Sequence, residues 1–89
     1  MLPESAIEDY IHEAMSLSQV DPLLDGTYIA SIRECPRALG FGVSEDEALD
    51  DLSITLADWI RLRVERRDHV PVIRGIDLNA QAVPRTIDP

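Results

Sequence analysis

Residues 27–52 read TYIASIRECPRALGFGVSEDEALDDL. Thr27 to Arg33 mixes β-branched and aromatic residues and is predicted to be a strand, which Pro36 punctuates. Ala38 to Val43 is a second such segment, whose Gly40 and Gly42 point to a bulge or a close backbone approach. A helix follows without a break. Ser44 and Glu47 have capping-box spacing: the hydroxyl accepts from the Glu47 N–H, and the Glu47 carboxylate reaches back to the Ser44 N–H. From Ser44 to about Arg66 the apolar period is helical, with Ala48, Leu49, Leu52, Leu56, Trp59, Ile60 and Leu62 on one wide face. Acids crowd its first turns and arginines its last, and both complement the helix dipole.

Upstream, Ile7, Tyr10, Ile11 and Ala14 share one face of a predicted helix from Pro3 to about Ser18, with Met15 at its edge. Gln19 to Leu24 is a short candidate strand, and Asp25-Gly26 is a hairpin signal because both residues tolerate positive φ. Downstream, His69 to Ile73 is predicted to be an edge strand, since Pro71 has no N–H to give a central ladder. Gly75 to Asn79 alternates and is a candidate for further extended structure. Residues 80–89 lose apolar content and read as a loosely held tail. The order is α-β-β-β-α-β. It predicts one α+β domain over residues 1–79: a three-stranded antiparallel meander, a short fourth strand, and the long helix packed on one face.

With 89 residues there is room for a single small domain. Its thin stability margin and open strand edges predict a homodimer or homotetramer, built by edge pairing or helix packing. No secretory leader and no membrane-spanning apolar run are visible, and Cys35 is the one cysteine, so a cytoplasmic, reduced protein is expected. The net charge is −9, and all eight basic residues are arginine. That balance opposes direct contact with nucleic-acid phosphates and favours a basic partner, or simply solubility.

Tyr28 and Ala30, Pro36, Gly42, Ser44, Glu47 and Ala48, then Trp59 and Pro71, occur in an order that resembles the HicB-like family of small bacterial proteins. The resemblance spans roughly Gly26 to Asn79. One position departs: the family usually has Gly after the Pro, and here it is Arg37. The resemblance implies a partial RNase H-like fold without the RNase H active site. It also implies an antitoxin that binds and neutralises a small basic mRNA-cleaving toxin of the HicA type. Many members carry a C-terminal DNA-binding domain; this sequence is expected to be a stand-alone form without one, with no direct nucleic-acid contact and no membrane.

The residues themselves favour binding over chemistry. A nuclease of the RNase H kind needs converging carboxylates, and neither central strand carries an acid. Cys35 reads as a small apolar filler, and His12 and His69 as solvated side chains. Trp59 and Tyr28 read as core or interface anchors. No catalytic residue, metal ligand or cofactor site is assigned. The feature singled out is a ridge on the polar side of the long helix: Glu47, Asp51, Ile54, Asp58 and Glu65, spaced three, four or seven apart. An acidic stripe around a lone β-branched residue suits a basic protein surface, and the same pattern is that of an ordinary solvated helix face with one stray isoleucine. The alternatives are a homo-oligomeric interaction module with no toxin, and an RNase H-like nuclease.

Overall fold

The computed structural model describes residues 4–81. Helix α1 (Glu4–Met15) leads into strand β1 (Gln19–Pro22), β2 (Tyr28–Ser31) and β3 (Leu39–Gly42), and then helix α2 (Glu45–Arg66). A 3-10 turn closes the described chain at Leu78–Gln81. The sheet is an antiparallel meander in the order β1-β2-β3. This is the α+β arrangement that the alternation and the helical period predict. Pro3 and most of the predicted tail lie outside the described residues.

Gly40 and Gly42 position α2. A Cβ on Gly40 would lie 2.3 Å from the Ala48 carbonyl oxygen and the Leu52 nitrogen, so only hydrogen fits between strand and helix. The β2–β3 register runs unbroken from Tyr28↔Gly42 to Ser31↔Leu39. The glycines therefore mark a close approach, with no bulge. Against them α2 buries Ala48, Leu52, Leu56 and Ile60. Leu49 and Trp59 are half-buried. Leu62, predicted on the same face, is 45% exposed. It follows Ile60 by two residues, about 200° around the axis, which places it on the far side.

Tyr10, Ile7 and Ala14 of α1 join this core, together with Ile32, Cys35, Val70, Ile73 and Leu78. Helix α1 stops at Met15, earlier than predicted, because Ser16 to Ser18 turn back on it: Ser18 donates through N–H and hydroxyl to the Met15 carbonyl. The β1–β2 hairpin closes through Leu23, whose N–H donates to Thr27 O at 2.8 Å. Only Gly26 takes positive φ (89°); Asp25 instead accepts from the Thr27 N–H and hydroxyl.

The predicted fourth strand is not formed. Residues 69–72 make no ladder, and the backbone there is held by side chains. Asn79 accepts from the Val70 N–H (2.8 Å) and donates to the Val70 carbonyl (2.6 Å), while the Tyr10 hydroxyl donates to the Pro71 carbonyl at 2.5 Å. The extended piece expected from Gly75 to Asn79 is instead a tight turn, Ile73 to Ile76, with Arg74 and Gly75 both at positive φ.

Candidate functional site

The polar side of α2 begins at a real N-cap. Ser44 is extended (φ −138°) and its hydroxyl accepts from the Glu47 N–H at 3.2 Å. The second half of the predicted box is rearranged: Glu47 Oε1 accepts from the Val43 N–H at 3.2 Å, one residue before the cap. One turn on, Asp51 Oδ2 accepts from the Phe41 N–H at 2.9 Å. Phe41 lies on the outer edge of β3, its N–H directed away from β2, and Val43 is the residue that follows the strand. The two carboxylates close that edge.

All five ridge residues are exposed, Ile54 at 63%. They do different things. Glu47 and Asp51 are engaged by strand backbone, whereas Asp58 and Glu65 form no salt bridge among the described residues. Helical periodicity places the ridge; it carries no signal for the strand N–H groups, because their positions depend on how α2 crosses β3.

At the other end of α2 lies a shallow cleft of about 140 Å³, lined by Glu34, Pro36, Arg37, Trp59, Arg63, His69 and Pro71. The Arg63 guanidinium sits 5.1 Å over the Trp59 ring, and its Nε donates to the His69 carbonyl at 2.5 Å. Trp59 is thus a half-buried platform covered by a cation. Arg67 ends α2 in the left-handed region (φ 60°), its N–H and that of Asp68 returning to Val64 and Arg63.

Cys35 is fully buried, with the Tyr10 hydroxyl 3.9 Å from its sulfur. Burial pushes the thiol pKa up and, aided by Cys35, pushes the Tyr10 phenol well above its ordinary value. Both stay protonated at neutral pH, the opposite of an activated nucleophile. His12 and His69 are exposed on α1 and beyond α2 respectively. Among the described residues no three His, Cys, Asp or Glu side chains gather as a metal would require. No helix among them is long and apolar enough to cross a membrane.

A model of the UPF0150-like family matches residues 9–71. The chain belongs to the UPF0150-like family. The match runs from α1 through the strand–helix unit to Pro71, and so includes the Gly42-to-Ala48 segment that seats α2. The fold is similar to that in the crystal structure of TTHA0281 from Thermus thermophilus, with a TM-score of 0.75 and 23% identity, covering 81% of this chain and 90% of that one. At that identity the likeness shows the fold alone. No curated protein matches this UPF0150-like chain.

Proposed function

We propose that this UPF0150-like protein is a non-catalytic, HicB-like antitoxin that holds a small basic RNA-cleaving toxin against the polar side of α2, on a partial RNase H-like scaffold. Membership of a HicB-related family supports the class of function. The observation that carries the surface is the unengaged half of the ridge: Asp58 and Glu65 form no salt bridge among the described residues, beside an Ile54 that is 63% exposed. A cationic partner neutralises those carboxylates while an apolar contact covers the isoleucine. Charge complementarity of this kind mainly supplies association rate and specificity.

Co-purification with a basic protein encoded beside this gene tests the reading. Asp58→Lys with Glu65→Lys should abolish capture and leave the fold intact, because neither side chain holds backbone. Ile54→Glu should weaken capture further than either single charge change. Retention of the partner by the Asp58, Glu65 double variant would sink the proposal. Glu47 and Asp51 are poor probes, since reversing them also releases the β3 edge.

A further inference from the structure

Arg37 belongs to the β2–β3 connection and Arg63 to the last turn of α2, yet both line the shallow cleft beside Trp59. Arg61 and Arg74 are paired with Glu4 and Glu13, whereas Arg37 and Arg63 form no salt bridge among the described residues. The cleft thus carries two guanidinium groups and one carboxylate, Glu34, in a chain whose net charge is −9. The Arg63 side chain is also held in place. Its guanidinium lies over the Trp59 ring, and its Nε is used on the His69 carbonyl. The two terminal nitrogens form no hydrogen bond among the described residues, and such a pair can grip a carboxylate through both of its oxygens.

We infer that this cleft docks an acidic peptide segment of another protein, with a carboxylate side chain reaching Arg37 and Arg63 and a neighbouring apolar side chain lying against Pro36, Pro71 and Trp59. The walls select against recognition through backbone. Pro36 and Pro71 have no N–H to donate, and the Pro71 carbonyl already accepts from the Tyr10 hydroxyl. What the cleft offers instead is apolar side-chain surface and a guanidinium that the fold has already ordered, which lowers the entropy lost on binding.

Size and charge choose this occupant. A volume of about 140 Å³ is below the roughly 300–1,000 Å³ of sites that enclose a free small molecule. The cleft therefore takes one side chain and its neighbour from the surface of a larger partner. A nucleic-acid backbone brings a charge with every phosphate, and Glu34 in the cleft and the chain's net charge of −9 repel such a run. A single carboxylate avoids most of that repulsion. The inference does not rest on the antitoxin reading: a basic toxin suits the acidic ridge of α2 and meets like charge here.

Trp59 is the single tryptophan, so its fluorescence and its indole N–H resonance report on this cleft. The full chain is titrated with the tripeptide acetyl-Leu-Glu-Leu-amide, for which a contact this small sets a dissociation constant on the order of 1 mM. Both signals should move and saturate, while acetyl-Leu-Gln-Leu-amide leaves them unchanged. Arg37→Glu should weaken binding about tenfold, since it removes an attraction and adds a repulsion. Arg37 forms no salt bridge among the described residues, so its far-UV circular dichroism spectrum should match that of the wild type. Glu34→Gln should tighten binding about threefold by removing a like charge. Arg66→Glu, the same charge change outside the cleft, should alter affinity less than about twofold at physiological salt. A peptide that moves neither signal, equal binding of the glutamine peptide, or equal weakening by Arg66→Glu and Arg37→Glu overturns the inference. Displacement of the peptide by single-stranded oligouridine overturns it in favour of phosphate chains. Signals that drift with protein concentration alone would make a second copy the occupant, and signals that move on removal of residues 82–89 would make it the chain's own end; either result also overturns it.

Discussion

The Asp51 carboxylate accepts the backbone N–H of Phe41 at 2.9 Å, so a helix side chain does for an edge strand what a neighbouring strand would do. With Glu47 on Val43, it takes up two of the donors through which a foreign strand would pair. Asp51→Ala should lower stability by about 1 kcal/mol, the net worth of one such bond. It should also raise light scattering on storage. Asp51→Asn keeps an acceptor and should restore both; equal scattering from all three proteins would show that the edge is protected by something else.

Gly40 tests how closely α2 is seated. A methyl group there meets helix backbone at 2.3 Å, which no rotamer change relieves. Gly40→Ala should therefore cost on the order of 3 kcal/mol, at the upper end for forced overpacking. Gly26→Ala is the control: nothing lies within 4 Å of its Cβ, and only the positive φ of 89° opposes it. That should cost about 1–2 kcal/mol. Chemical denaturation midpoints of the two variants give the comparison, and a Gly40→Ala protein as stable as Gly26→Ala contradicts the packing described.

How much of this is legible in the sequence differs by element. The Ser44 cap and the helix it starts follow from local chemistry, as do the hairpin at Gly26 and the strand pair on either side of Pro36. The segment after α2 departs from its expected strand for a definite reason. Pro71 and the β-branched residues around it suit an extended chain without a ladder partner. What takes up its backbone groups is Tyr10, 61 residues away, and the two-point contact from Asn79. Side-chain clamps across such separations leave no periodic trace. The ridge is legible as a row of exposed positions, and the engagement of Glu47 and Asp51 is not. Gly40 and Gly42 are legible as a close backbone approach, which is what they make against α2.

Tyr10 links α1 to the segment after α2, and its phenol and the Cys35 thiol both have raised pKa values in the fold. In the unfolded chain they titrate near about 10 and about 8.5. The folded state therefore keeps protons that the unfolded state loses, and stability falls as pH rises through those values. Unfolding free energy should be level around neutral pH with respect to these two groups, then decline from about pH 8.5 upward. Cys35→Ser and Tyr10→Phe should each flatten that decline. Tyr10→Phe should also cost about 1 kcal/mol at pH 7, because the Pro71 carbonyl loses its donor. An alkaline slope identical in all three proteins would dissociate it from this pair.

Arg67 ends α2 with φ at 60°, a conformation in which an L side chain crowds the following carbonyl. The turn it makes is otherwise well satisfied: Arg67 N–H reaches Val64 O at 3.1 Å and Asp68 N–H reaches Arg63 O at 2.8 Å. Glycine adopts that conformation without the clash and is the usual residue at this position. Its greater freedom in the unfolded chain offsets part of the gain. Arg67→Gly should thus stabilise the protein by about 0.5–1 kcal/mol. The substitution removes one positive charge near the basic end of α2, so the comparison is made with Arg67→Ala, which loses the same charge and keeps the strain. Thermal midpoints in the order Gly above Ala confirm that backbone conformation sets the difference, and the reverse order would show that glycine's freedom in the unfolded chain outweighs the strain relieved.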